Sequence, residues 1–248
     1  MNRLNLILSA ALMAAFVTPA FAGGGPSLQF SVSKSDGTMD IGRNRGTNLA
    51  GQYVTTQTLP GATYWGAVNA PGATYDSYTL LAGYGTVGNF GGAYDINNVG
   101  TVAGYAYYFP GWQNDAVIWE GGSIVSLGIK AGIGSQAYSI NDLGEVVGVA
   151  EEFLSSGSIK HHAFYWDQTH AGFDLNDCLD ASGTGWYLSA ADGINANGTK
   201  IYGRGMLNGE QTYFTAQRIT PAAVPEPSSA LLLTGVIPLI CLLRRSNR

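Results

Sequence analysis

The chain has 248 residues, a formal net charge of −5 and only 12% charged residues. A chain this acidic carries no basic patch suited to a phosphate backbone, so nucleic acid is excluded as a partner. The many glycine, tyrosine, asparagine, serine and threonine residues, with so few charges, are typical of secreted proteins rich in β-structure.

The N-terminus has the pattern of a secretory signal. Met-Asn-Arg precedes an apolar run from Leu4 to Val17, which is short for a membrane span but suits a signal h-region. Ala20 and Ala22 supply the small residues that signal peptidase requires before its cut. We therefore expect a signal peptide over residues 1–22, removed by signal peptidase during export.

The C-terminus, residues 222–248, has three parts in a fixed order. A Pro-Glu-Pro box at 225–227 is followed by an apolar run at 230–243, predicted to be helical, and by a basic end at 244–248. This order resembles the PEP-CTERM sorting signal of bacteria that make exopolysaccharide. The residues that carry the two predicted signals are Ala20, Ala22, Pro225, Glu226, Pro227, Arg244 and Arg245.

The resemblance implies that exosortase cleaves this tail and that the protein reaches the cell surface or the extracellular medium. The arginines are expected to stay on the cytoplasmic side while the apolar run inserts transiently in the inner membrane. Both prolines lack an amide donor, so the box suits an extended, accessible segment. The alternative is an ordinary C-terminal membrane anchor, although Pro238 inside so short a run is unfavourable for it.

About 200 residues, 23–221, remain between the signals, which is enough for one domain with a sizeable core. Cys178 is the only cysteine among them, because Cys241 lies in the apolar run of the tail. No disulfide can form within this domain. We expect Cys178 to be a small buried hydrophobic residue and not a reactive thiol.

Four segments of the domain share the pattern Ile-Asn-x-x-Gly-x-x-x-Gly. Their isoleucines, Ile41, Ile96, Ile140 and Ile194, are 55, 44 and 54 positions apart, in the range of propeller-blade repeats. The first segment is the weakest match, with Gly42 where the others have asparagine. Asparagine and glycine accept the backbone angles of tight turns, so each Asn-x-x-Gly is predicted to be a hairpin turn.

Alternating apolar and polar residues around these turns predict strands, and no sustained helical period is present, so the domain is predicted to be all-β. Each repeat corresponds to three or four short strands, which suggests a small propeller-like ring of about four blades. An N-terminal strand is expected to complete the last blade. The alternative is an open β-solenoid or a β-sandwich. Strands are predicted over residues 27–32, 101–107, 116–120, 200–205 and 211–219.

The third segment is followed by His162-Ala163-Phe164 and then Trp166. This order resembles the extracellular HAF repeat, and the resemblance extends from about residue 39 to residue 219. It implies a repeat-built extracellular protein, but it tells more about architecture than about activity.

No motif for catalysis stands out in the chain. No Gly-x-Ser-x-Gly elbow, His-Glu-x-x-His helix or P-loop occurs, so a non-enzymatic protein with no catalytic residues is predicted. A glycan-active enzyme that uses two carboxylates is the alternative, because such acids have no fixed spacing in sequence. A cleft with paired carboxylates would favour the enzyme, and a face lined by aromatic side chains would favour a binding protein.

Metal and cofactor sites are not predicted. His161, His162 and His170 lie close together, but their spacing matches no usual ligand pattern, so His162 is predicted to make a structural hydrogen bond within a strand. Calcium is conceivable on the turn oxygens, although Asx-turns explain these residues more simply. The turn residues are Asp95, Asn97, Asn98, Asn141, Asp142, Asn195 and Asn197.

Exposed aromatic residues are the best functional lead. Tyr107, Phe109 and Trp112 lie close together where a predicted strand runs into a loop. Flat rings that remain exposed there would stack on sugar faces. The sequence thus predicts an exported component of the cell surface or matrix that binds polysaccharide or another matrix protein and acts in an exopolysaccharide or biofilm.

Overall fold

The computed structural model describes residues 28–40, 46–59, 63–72, 77–83, 91–108, 113–129, 132–169 and 171–219. The chain divides into two compact units, Met1–Arg218 and Ile219–Arg248, and the described residues lie in the first unit apart from Ile219. The predicted signal peptide and sorting tail therefore lie outside the described residues.

Strands joined by turns make up nearly all the regular structure, with two short 3-10 helices at Leu175–Cys178 and Ala181–Gly183. The predicted all-β class is confirmed for the described residues. The strands are β1 (Gln29–Ser35), β2 (Tyr53–Leu59), β3 (Thr63–Asn69), β4 (Tyr78–Leu80), β5 (Gly91–Ile96), β6 (Val102–Tyr108), β7 (Gln113–Glu120), β8 (Ser123–Ser126), β9 (Gly134–Ile140), β10 (Val146–Phe153), β11 (Ile159–Asp167), β12 (Ala171–Asp174), β13 (Trp186–Ile194), β14 (Lys200–Leu207) and β15 (Glu210–Ile219).

The strands fall into four groups in chain order, which we call the first to fourth strand groups. The first group, β2-β3-β4, is a separate sheet. The second group (β5 to β8) and the third (β9 to β12) share one sheet, joined by a single parallel pairing of Asn114 with Gly134. The fourth group, β13 to β15, forms a four-stranded sheet with β1, in the order β1-β15-β14-β13.

The N-terminal strand β1 joins the last strand of the domain, as the sequence predicts. Phe30 of β1 is fully buried and Val32 nearly so, and both belong to the core cluster that contains Leu188 and Phe214 of the fourth group. The carbonyl of Phe30 also accepts a hydrogen bond from the amide of Asp180 at 2.9 Å. The two ends of the folded domain are therefore held in one sheet.

The four Asn-x-x-Gly turns are closed by the same kind of hydrogen bonds, to the residue four positions after the asparagine in the first three turns and to Lys200, five positions after Asn195, in the fourth. In the second group the amide of Asn97 donates to the carbonyl of Thr101 at 3.0 Å, and Asn97 Oδ1 accepts from the amide of Thr101 at 2.8 Å. Gly100 has a φ of 89°, a conformation that favours glycine. One side chain thus closes each turn, which explains why asparagine and glycine recur together. The other three turns are 48–51, 141–144 and 195–198.

This geometry corrects the alignment of the first segment. The turn equivalent to Asn97 to Gly100 is Asn48 to Gly51, six residues beyond the predicted position at Gly42. Thr47 therefore stands where the other segments have isoleucine. The first segment has its asparagine after all, and the sequence comparison missed it because the preceding residue is not apolar.

The second glycine of the pattern is required for a different reason: two strands approach each other closely at that position. A Cβ atom on Gly148 would lie 2.0 Å from the carbonyl oxygen of Gln136 and 2.8 Å from the ring of Phe164. Gly104 and Gly203 occupy the equivalent positions, with the nearest carbonyl 2.0 and 2.1 Å from such a Cβ. Only glycine fits at these three positions.

A ladder of side chains connects neighbouring turns. The side-chain amide of Asn97 donates to the carbonyl of Asn141 at 3.1 Å, and Asn141 donates in the same way to Asn195 at 3.3 Å. Asn48 donates to the carbonyl of Asn97 at 3.3 Å. The four turns therefore lie side by side at one end of the domain, which we call the turn end.

Among the described residues, three apolar clusters lie between successive strand groups. The first contains Ile96 and Trp119 of the second group, against which Val68 of the first group packs. A second cluster joins the second group to the third, with the fully buried Phe164 among its members. The third joins the third group to the fourth and includes Cys178, which is buried as predicted. Apolar clusters pack on both faces of the larger sheet, so β5 is buried at all but one position and β10 over its first five residues.

Candidate functional site

Only one residue of the predicted glycan-stacking set lies in the described part of the chain. Tyr107 of β6 is half-buried, whereas Phe109 and Trp112 lie outside the described residues, as do all seven predicted sorting residues. Tyr105 is half-buried on the same face of β6, and the intervening Ala106 is buried in the core. Because successive side chains point to opposite faces of a strand, the two tyrosine rings lie on the face opposite the buried Ala106.

The rings of four tyrosines from two strand groups contact one another in a row. Tyr107 meets Tyr105 edge-on at 5.9 Å between centroids, and Tyr105 lies 5.6 Å from Tyr94 of β5. Tyr94 in turn meets Tyr138 of β9 edge-on at 5.3 Å. We call these four residues the tyrosine row. Such edge-to-face pairs stabilise the arrangement beyond the burial of their surface.

Bulges in the first strand of successive groups place two of these rings. The pairing of β5 with β6 shifts register between Ala93 and Asp95, and the residue left over is Tyr94. Tyr138 is left over in the same way where β9 pairs with β10. Both stand three residues before the turn asparagine of their group. A bulge re-aims its side chain, so one repeated irregularity puts both tyrosines on the same surface.

The fourth group has an acid at this bulge position instead, Asp192. Both of its carboxylate oxygens accept hydrogen bonds at 2.8 Å from Arg204 of β14. These bonds raise the pKa of Arg204, and Tyr138 and Tyr213 have smaller raising effects. Arg204 lies on the same surface as Tyr213 of β15.

Beyond Arg204 the surface opens into a groove of about 550 Å³. It lies across strands β11, β13, β14 and β15, so the third and fourth groups both contribute to it. Tyr213 is 49% exposed, and its ring lies against Gly37, where an added Cβ would be only 3.0 Å from two ring carbons. Among its lining residues are two cations and two aromatic residues: Lys160, Arg204, Tyr187 and Tyr213.

Tyr187 forms one wall of the groove and is fixed on three sides. Its hydroxyl donates to the carbonyl of His161, its ring meets His162 edge-on at 6.0 Å, and Lys160 Nζ lies 5.0 Å from the ring centroid. Burial, followed by the charges of Asp174 and Glu152, raises the pKa of Tyr187 well above its ordinary value. The wall is therefore neutral and rigid.

His162 lies behind this wall between two carboxylates. Its Nδ1 is 2.7 Å from Asp174 Oδ2 and its Nε2 is 3.1 Å from Glu152 Oε2, which confirms the predicted structural hydrogen bond. The bond to Asp174 raises the pKa of His162, burial lowers it, and Lys160 has a smaller lowering effect. Only the protonated ring can donate from both nitrogens, so this arrangement favours the imidazolium ion.

A second polar cluster ties the last strand to the third group. Arg218 Nη2 donates to Glu145 Oε1 at 2.8 Å, and Tyr165 Oη lies 2.9 Å from the same oxygen. Burial and the charge of Glu145 raise the pKa of Tyr165 far above its ordinary value. Burial likewise raises the pKa of Cys178 to about 11. We assign these groups to stability, because packing and partners hold all of them.

The predicted turn oxygens are engaged in hydrogen bonds. Asn141 Oδ1 accepts from the amides of Leu143 and Glu145, and Asp95 accepts four bonds in the interior. Within the described ranges no three His, Cys, Asp or Glu side chains come together as a metal site. The same part of the chain contains no helix long and apolar enough to cross a membrane.

The groove was not among the predicted sites, because strands far apart in sequence form it. No protein-family model matches this chain, and no similarity was found to curated proteins or to solved structures.

Proposed function

We propose that this chain is an exported, non-enzymatic protein of the cell surface or extracellular matrix that binds polysaccharide. The observation that carries the binding proposal is a groove of about 550 Å³ lined by two tyrosines, Tyr187 and Tyr213, and by Arg204. Sugar rings stack on flat aromatic faces, and neighbouring polar groups fix their orientation. The half-exposed ring of Tyr213 is the strongest candidate for such stacking.

Export is supported by the sequence of the two ends. The proposed route is removal of residues 1–22 by signal peptidase, transient insertion of residues 230–243 in the inner membrane, and cleavage near the Pro-Glu-Pro box by exosortase. Intact-mass analysis of the protein from a polysaccharide-producing host, with and without exosortase, tests this route. A mass that keeps the tail in both hosts would mean a membrane-anchored protein.

For the architecture we propose HAF-type repeats arranged in a small propeller-like ring. The pairing of β1 with β15 supports closure, because the strand that precedes the first group in the chain belongs to the sheet of the fourth group, and the carbonyl of Asp40 still accepts a hydrogen bond from Tyr202 Oη of β14 at 3.0 Å. The side-chain amide of Asn195 donates to Thr199 Oγ1 within its own turn and not to a neighbouring turn. The series of turn-to-turn hydrogen bonds therefore ends at the fourth group, as expected for the alternative, an open stack of strand groups. A crystal structure with the first and fourth groups apart would favour that alternative.

Affinity electrophoresis of the secreted protein in gels containing the host exopolysaccharide tests binding. Tyr213→Ala is expected to weaken retardation about tenfold, which corresponds to about 1.4 kcal/mol. The matched control is Tyr78→Ala on β4 of the first group, which should change retardation little. Loss of retardation in neither variant would remove the groove from the proposal, and release of oligosaccharides from the polymer would favour the enzyme alternative.

A further inference from the structure

Three exposed aliphatic side chains stand on the turns of the first three strand groups. Leu49 is 87% exposed, Val99 77% and Leu143 65%. The turns that carry them are bonded together, since the amide of Leu49 donates to Asn98 Oδ1 and the amide of Asn98 donates to Asp142 Oδ1. We call Leu49, Val99 and Leu143 the apolar turn row. Polar residues are the usual ones in such turns and would fit here without loss of stability. Three neighbouring exposed aliphatic side chains therefore indicate a contact surface.

The chain leaves the domain at the same end. The amide of Arg218 donates to the carbonyl of Thr199 at 2.8 Å, just beyond the fourth turn, and its side chain pairs with Glu145 beside the third turn. Ten residues, 220–229, then separate the last strand from the apolar run at 230–243. Fully extended, ten residues reach at most roughly 35 Å, which limits how far Ile219 can lie from an inserted apolar run.

We propose that the apolar turn row rests on the outer surface of the membrane while the tail spans it, before the tail is removed. This inference depends on the proposed sorting route. Three aliphatic side chains suit shallow insertion at a lipid interface, where each buried CH₂ group contributes about 0.8 kcal/mol. They are too few for a stable protein interface, which buries about 800 Å² on each partner.

The turns that carry the row contain one charged side chain, Asp142, and it is held by hydrogen bonds. Asp142 accepts two hydrogen bonds from Asn98, at 2.8 and 2.6 Å, and Glu145 is paired with Arg218. Docking in this orientation holds the Pro-Glu-Pro box against the membrane, within reach of a membrane protease. The apolar turn row thus serves processing, whereas the groove serves the secreted form.

Lipid quenching of a dye tests the contact directly. The chain without its predicted signal peptide, residues 23–248 with Cys241→Ser, is labelled at Val99→Cys and reconstituted in phosphatidylcholine vesicles that carry a doxyl lipid; Cys178 is only 7% exposed and escapes the dye. The control label is at Phe153→Cys, which is 60% exposed and lies at the end of β10 away from the turns. We expect strong quenching at position 99 and little at position 153.

Equal quenching at the two positions, or none at either, would overturn the inference. A blue shift at position 99 without quenching would also overturn it, because a protein surface would then cover the row. A chain that does not float with the vesicles would overturn the sorting route itself and this inference with it. Failure of quenching alone, in a chain that floats, leaves the sorting route standing.

Processing provides a second readout. In an exosortase-bearing host, the triple change to serine at Leu49, Val99 and Leu143 should slow tail removal several-fold, as measured by intact mass over time. The matched control is the triple change to serine at Leu80, Val125 and Phe153, which are exposed elsewhere on the domain. Equal rates in the two triple variants would contradict a role of the row in processing.

Discussion

Gly148 lies so close to Gln136 on the neighbouring strand that a Cβ atom would come within 2.0 Å of its carbonyl oxygen. Gly144, four residues earlier, has open space around it but a φ of 78°. The pattern therefore contains two glycines with two different physical causes. The first allows the turn, and the second allows two strands and an aromatic ring to approach.

Gly148→Ala is expected to reduce the free energy of unfolding by about 3 kcal/mol, because the added methyl group must displace backbone as well as the Phe164 ring. Gly144→Ala should cost about 1–2 kcal/mol, since only the left-handed conformation is strained there. Urea denaturation of the two variants measures both values. A cost at Gly148 no larger than that at Gly144 would contradict the close approach.

Asp95 connects three strand groups through one buried carboxylate. Its Oδ1 accepts from the amides of Gly46 and Ile96, and its Oδ2 accepts from Ser139 Oγ and the amide of Ile140. Asp95→Ala leaves these buried donors without their acceptor and is expected to cost about 3–5 kcal/mol in urea denaturation. Asp142→Ala, an exposed acid at a neighbouring turn, is the control and should cost less than about 1 kcal/mol. Similar costs would show that Asp95 is not a structural bridge.

The turns could be predicted from the sequence because they are local. Asn97 and Gly100 determine their hairpin through hydrogen bonds within the turn, and β1 could be placed because an N-terminal strand was expected to complete the last repeat. The first turn was misplaced because Thr47 replaces the expected isoleucine.

The groove could not be predicted in the same way. Lys160 and Arg204 approach it from different sheets, and no short-range pattern relates them. The tyrosine row, by contrast, had a usable signal in the sequence: Tyr94 and Tyr138 both stand three residues before a turn asparagine. Bulges at that position share one surface, and alternation alone does not reveal a bulge.

Arg218 is the last charged residue of the folded domain before the tail, and its ion pair should survive processing. Glu145 is 9% exposed at its side chain and Arg218 22%, so removal of the arginine leaves a buried acid that keeps bonds from Tyr165 and Asn141. Arg218→Ala is expected to lower the free energy of unfolding by about 2–3 kcal/mol, in both the full chain and the secreted form. Lys200→Ala, exposed at the start of β14, is the control. A loss confined to the full chain would mean that the pair depends on the tail.

His162 should make the stability of the domain depend on pH. Its pKa is raised in the folded state, chiefly by the hydrogen bond to Asp174, so folding favours the protonated ring. This contribution is fully present below the unfolded pKa of about 6.5 and is lost as pH rises through the higher folded value. Wild type should therefore exceed His162→Gln in free energy of unfolding by more at about pH 5.5 than at about pH 9.

Urea denaturation at the two pH values measures this difference, and the control is His161→Gln, whose ring is half exposed and 3.8 Å from Glu151. That exposed pair is worth less than about 1 kcal/mol, so its loss should change stability little. The ring of His162 also packs edge-on against Tyr187. The charged groups near these two rings are Lys160, Asp174 and Glu152. If the difference between wild type and His162→Gln is the same at both pH values, the two carboxylates do not hold the ring in its protonated form.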